Sequence, residues 1–111
     1  MNDSHSASSL DASASTAPPP LQPSTIGLSE FQRLIERLYF DKDHARGIPG
    51  TYMWFQEEVG ELTRAIRRNH DRKNLEEEFA DVLAWLVSLA SLHGVDIEKA
   101  ALEKYARPSP P

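Results

Sequence analysis

Glu58-Val-Gly-Glu61 and, after sixteen intervening residues, Glu78-Phe-Ala-Asp81 decide how this chain reads. Each is a pair of carboxylates three residues apart. Positions i and i+3 are neighbours on one helix face, so the acids of each pair point roughly the same way. Asn69-His-Asp-Arg-Lys-Asn74 lies between the pairs and reads as a loop. Two helices joined by so short a connection pack antiparallel, which can turn the pairs toward each other. Four carboxylates gathered there repel unless something positive sits among them. A hard divalent cation with oxygen-only ligands answers that need.

The flanking residues support two helices. From Thr51 to about Arg68, Phe55, Val59, Leu62 and Ile66 form an apolar stripe, with Glu58 at its border and Trp54 and Ala65 extending the acidic side. Arg64, Arg67 and Arg68 crowd the last turns, where cations suit the helix dipole. In the next helix Asn74 is the expected cap, with Glu76, Glu77 and Glu78 in the first turn. Leu75, Phe79, Val82, Leu83, Leu86 and Ala90 form its expected core face. Asp81, Trp85, Ser88 and Leu92 share the other side, so this helix reads as covered twice, which a partner subunit explains. Gly94 ends it as a left-handed C′ residue.

An earlier helix is expected from a cap at Ser29, with Gln32 completing a capping box and Phe31, Leu34, Ile35 and Leu38 at helical spacing. It runs to about Phe40 or a few residues beyond, broken by Gly47, Pro49 and Gly50. His44, just before that break, reads as a surface residue. Asp96 caps a last helix from Ile97 to about Ala106, stopped by Pro108. No stretch alternates as a strand. The reading is all-α, four helices, with the bundle completed by oligomerisation.

Residues 1–25, rich in Ser, Ala and Pro, read as a disordered leader, residues 26–107 as the domain and 108–111 as a tail. A folding unit of about 85 residues is marginal for a self-sufficient core, and association is a common remedy. A net charge of −5 argues against a nucleic-acid polymer as partner. With no cysteine, neither disulfides nor thiolate metal sites are available. No apolar run approaches the roughly 20 residues needed to span a bilayer, and no signal peptide is recognisable. No membrane partner and a cytoplasmic location are the expectations.

Acids three apart usually decorate a wet helix face. Here each pair is embedded in apolar sequence, and no Lys or Arg stands four residues from Glu58, Glu78 or Asp81. Carboxylates without Cys or nearby His favour Mg²⁺ or Mn²⁺ over Zn²⁺. Mg²⁺ bound this way completes its shell with water and substrate phosphates, which implies a polyphosphate substrate.

Glu57-Glu-Val-Gly-Glu-Leu62 with Glu77-Glu-Phe-Ala-Asp-Val-Leu83 closely resembles the signature of MazG-like nucleoside triphosphate pyrophosphohydrolases. The likeness extends through Gly94-Val-Asp-Ile97 and Lys104-Tyr-Ala-Arg107, covering roughly residues 28–107. It implies an all-α dimer or tetramer built from four-helix modules, related to dimeric dUTPases, dCTP pyrophosphatases and phosphoribosyl-ATP pyrophosphohydrolases. It implies cleavage between the α- and β-phosphates of a nucleoside triphosphate, releasing pyrophosphate, as in house-cleaning removal of non-standard nucleotides. By the same likeness Glu58, Glu61, Glu78 and Asp81 ligate Mg²⁺, and Glu57 orients or deprotonates water. Lys104 and Arg107 match a basic pair that binds phosphate. Trp85, and with it Trp54, is placed to stack on a base or to pack at a subunit interface. The alternative is a non-catalytic helical oligomerisation or regulatory module that binds nucleotide or metal without turnover.

Overall fold

Gly47 is the point at which the first helix changes direction. Its φ of 86° is one a side chain disfavours, and its ψ of 169° leaves helical geometry for a single residue. Pro49 follows within the first turn of the resumed helix, where a missing N–H costs little. The break is therefore a kink and not a loop. In the computed structural model, which describes residues 26–106, α1 runs over Leu28–Arg68, α2 over Arg72–Leu92 and α3 over Ile97–Tyr105. The expected first two helices are one bent element, so the described residues form three helices instead of four. The leader, the tail and Arg107 lie outside the described residues.

The helix ends differ from expectation by two or three residues. Gly27, not Ser29, precedes the first turn of α1, and Glu30 accepts from its N–H at 3.0 Å. Ser29 and Gln32 instead make tertiary bonds. The Ser29 hydroxyl donates to Asp96 at 2.8 Å, and its N–H donates to Glu98 at 2.9 Å. Gln32, fully buried, donates to the Ser91 hydroxyl at 2.9 Å and the Val95 carbonyl at 2.8 Å, and accepts from the Ile97 N–H at 3.0 Å. A buried amide with its bonds satisfied fastens the start of α1 to the α2–α3 turn. Asp71, not Asn74, caps α2, accepting from the Asn74 N–H at 3.0 Å. Gly94 has the expected positive φ of 70°, and Asp96 caps α3 as expected.

Gln32 near the start of α1 meets Ser91 near the end of α2, whereas Glu58 meets Glu78 and Asp81 nearer its beginning. The second half of α1 and α2 are thus antiparallel, as the short connection requires.

Which faces turn inward is the main departure. The core gathers Ile35, Tyr39, Ala84, Trp85 and Val87, with Trp54 and Phe55 packed against it. On α1 the buried positions past the kink are Thr51, Glu58 and Ala65, spaced by sevens, and on α2 they are Ala84, Trp85, Val87 and Ser88. The stripe expected to be the core of α2 faces outward in part: Phe79 is 54% exposed, with Leu83 and Leu86 also exposed. Ile66 of α1 is exposed as well. The acid-bearing faces are the inner ones.

Candidate active site

Each acid stands where its helix register puts it. Glu58 lies one turn after Trp54 and one heptad after Thr51, on the buried side of α1; Glu78 and Asp81 lie one turn apart on the facing side of α2. One oxygen from each of Glu58, Glu78 and Asp81 lies within 4.8 Å of the others. Glu58 is only 2% exposed. Glu61 is not one of the converging three. Its carboxylate is turned to Arg64, 2.7 Å away. Of the four expected ligands, three meet and the fourth stands beside them in an ion pair.

The electrostatics follow from that crowding. Burial first, then the charges of Asp81, Glu78 and Glu61, push the Glu58 carboxyl up to about 7. Glu78 is also raised, by burial and then by Asp81, Glu61 and Glu77, against a small opposing effect of Arg64. One Glu78 oxygen is buried without a hydrogen-bond partner among the described residues. A buried, unpartnered carboxylate oxygen facing two further carboxylates is a poor arrangement for protein alone and a good one for a cation. The oxygen-only donor set fits Mg²⁺ or Mn²⁺.

The aromatic pair is divided by burial. Trp85 is wholly enclosed within the single chain, and its indole N–H has no hydrogen-bond partner among the described residues. Within the single chain it presents no exposed ring face. Trp54 stacks on it, centroids 6.1 Å apart and planes 13° from parallel, and is half-buried. Trp54 also lines a cavity of about 320 Å³ with Arg46, Gly50, Met53 and Glu57. Glu57 is exposed and lies outside the converging carboxylates.

Arg46 was not legible as a site residue. Its guanidinium lies 5.0 Å over the Trp85 ring, 2.8 Å from the buried Asp43 carboxylate and 3.4 Å from the Thr51 hydroxyl. A Cβ at Gly50 would come within 2.7 Å of the Arg46 side chain, so the glycine gives that arm its path. The Asp43-to-Arg46 spacing of three, just before a glycine, was the available signal. Together these groups bridge the kink and hold Trp85, one turn from Asp81, in place.

Lys104 is exposed on α3, its ammonium 5.4 Å over the Tyr105 ring. The start of α3 packs at the far end of α2, beyond Ser91, which lies about 15 Å along the helix from Asp81 at the usual rise. Within one chain, Lys104 is not brought to the acids.

A family model of the MazG nucleotide pyrophosphohydrolase domain matches residues 50–111. The chain belongs to this family. The match begins just past the kink and takes in both acidic pairs, Trp54 and Trp85, so the converging carboxylates are part of the MazG domain itself. No curated protein matches the chain.

The metal-free protein should lose stability as pH rises. The folded Glu58 carboxyl holds its proton up to about pH 7, whereas the unfolded one releases it near 4.5. Between those values the folded state binds the extra proton, so stability falls with rising pH and levels off above 7. Melting curves in chelator from pH 4.5 to 8 should show this descent, and Glu58→Gln should flatten it. An unchanged slope in Glu58→Gln would contradict the assignment.

Proposed function

We propose that this MazG-domain protein hydrolyses nucleoside or deoxynucleoside triphosphates to the monophosphate and pyrophosphate, with Mg²⁺ as cofactor and Mn²⁺ as a substitute. The observation that carries the reading is the meeting of Glu58, Glu78 and Asp81 around an unpartnered buried oxygen. Such a cage has little purpose without a cation, and a hard cation on carboxylates leaves positions for phosphate oxygens. A bound Mg²⁺ supplies charge neutralisation at the phosphates and a more acidic attacking water.

The protein's own groups supply position. Glu58, Glu78 and Asp81 hold the cage, and Glu61 joins it when Arg64 releases or shares its carboxylate. Trp54, at the mouth of the neighbouring cavity, offers a ring face to the base. Water oxygen bonds to the α-phosphorus while the bond to the α,β-bridging oxygen breaks, and that electron pair leaves with pyrophosphate. The water's proton passes to a carboxylate at the cage edge and on to solvent, Glu57 and Glu61 being the two outside the converging three. Removal of non-standard nucleotides is the role we infer.

The same reading includes a homodimer or homotetramer. Phe79, Leu83 and Leu86 fall at i, i+4 and i+7 on the outer face of α2, an apolar strip that another copy would cover.

Two measurements test the activity and the assembly. Purified protein with Mg²⁺ should release pyrophosphate from at least one member of a nucleotide panel, and Glu61→Gln should lower the rate by about a hundredfold or more, the scale of losing one electrostatic stabiliser. Inertness across the panel would favour a binding module, and orthophosphate release alone would indicate a different cleavage. Light scattering should give a dimer or tetramer that Leu83→Glu weakens; a folded monomer at every concentration would contradict the assembly.

A further inference from the structure

The turn between α1 and α2 borders a cavity of about 300 Å³ lined by Arg64, Arg68, His70 and Asn74 together with the acids Glu61, Asp71 and Glu78; Asp71 is engaged as the cap of α2, accepting from the Asn74 N–H. Of its lining, the proposed chemistry involves Glu61, Glu78 and Arg64 and gives no part to Arg68, His70 or Asn74. We propose that this cavity receives the β- and γ-phosphates of the substrate, the part that leaves as pyrophosphate, so the triphosphate lies along α1 with its tail toward the α1–α2 turn. This rests on the triphosphate reading above and adds its direction.

The order of side chains along α1 supports that direction. Trp54, Glu58, Glu61, Arg64 and Arg68 follow one another at spacings of four, three, three and four, which keeps them on one flank of the helix. The cavity containing Trp54 therefore lies before Glu58 along α1, and the cavity containing Arg64 and Arg68 begins at Glu61 and extends past it. At the usual rise, Trp54 precedes Glu58 by about 6 Å and Arg68 follows Glu61 by about 10 Å along the axis. A base, then an α-phosphate at the acids, then two further phosphates match that sequence of an aromatic ring, an acidic cage and two guanidiniums.

Charge points the same way. A cage of carboxylates repels polyphosphate, and cations must stand where the charge unassigned to the cage will lie. Arg64 is already at the border, 2.7 Å from Glu61 and within electrostatic reach of Glu78 and Glu57. A guanidinium has five donors in a planar fork, enough to serve a carboxylate and a phosphate together. Arg68 makes no ion pair among the described residues. Lys104, the cation that the sequence suggested for phosphate, belongs to α3, whose start packs at the other end of α2. The ordinary explanation of cations here is the dipole at the end of α1. That explanation applies equally to Arg67, which does not line the cavity.

The test is calorimetric titration of the full chain with inorganic pyrophosphate in Mg²⁺, alongside steady-state hydrolysis. Arg68→Gln should weaken pyrophosphate binding roughly tenfold or more, as expected for a lost charge-assisted bond, and Arg64→Gln should do likewise. Arg67→Gln should bind as the unmodified protein does. Product inhibition by pyrophosphate should weaken in parallel, and circular dichroism should show all three variants folded. Equal affinity in Arg68→Gln and the unmodified protein, equal losses in Arg67→Gln and Arg68→Gln, or no pyrophosphate binding at all would overturn the proposal. Intact Arg68-dependent pyrophosphate binding in a protein inert toward every triphosphate would retain the cavity as a pyrophosphate site and overturn the hydrolase reading instead. Triphosphate hydrolysis with binding unaffected by Arg68→Gln would do the reverse.

Discussion

Mutual repulsion among Glu58, Glu78 and Asp81 is the constraint around which this small domain is arranged. Three carboxylates whose oxygens lie within 4.8 Å of one another, one of them on a residue 2% exposed, oppose folding when all are ionised. Burial first, and then the charges of Asp81, Glu78 and Glu61, raise the Glu58 carboxyl to about 7. The chain tolerates it because the surrounding structure holds both helices firmly: Gln32 ties α1 to the α2–α3 turn, and Asp43, Arg46 and Thr51 brace the kink against Trp85. A hard cation converts the same repulsion into binding energy. Strain at one site, supported from elsewhere in the fold, is a pattern that clusters at functional sites.

The choice of inner face explains other features together. By turning Thr51, Glu58 and Ala65 inward against Ala84, Trp85 and Ser88, the chain encloses its chemistry first. Phe79, Leu83, Leu86 and Ile66 are among the apolar side chains left on the outside. A domain this short has too few apolar groups to cover both sides of α2 at once. In the proposed assembly a second copy over the outer strip would complete the bundle without displacing the acidic cluster, so that assembly and the candidate site would use opposite faces of one helix.

Much of this was legible from spacing, and the exceptions have physical causes. The acid pairs, the antiparallel connection, the Gly94 stop and the Asp96 cap follow from local rules that act within a turn or two. Asp71 displaced Asn74 as cap because several residues in that segment can accept an N–H bond, and local pattern does not rank them. The kink at Gly47 reads in the sequence as a break between two helices because glycine and proline signal an interruption without indicating its size. Core assignment of α2 misjudged the inner face, since counting apolar residues favours Phe79, Leu83 and Leu86 over a face carrying Asp81 and Ser88. Arg46 and the Arg64–Arg68 flank became visible only when tertiary contact placed them beside an indole and a cavity. Lys104 matched a family pattern, yet the packing of α3 keeps it from the acids of its own chain.

Titration of the chelator-treated protein with Mn²⁺, read by calorimetry, tests the cage most directly. The account predicts saturable binding at one carboxylate site per chain, competed by Mg²⁺ and lost in Glu78→Gln. Binding of the same stoichiometry and affinity in Glu78→Gln would show that these acids do not form a shared site.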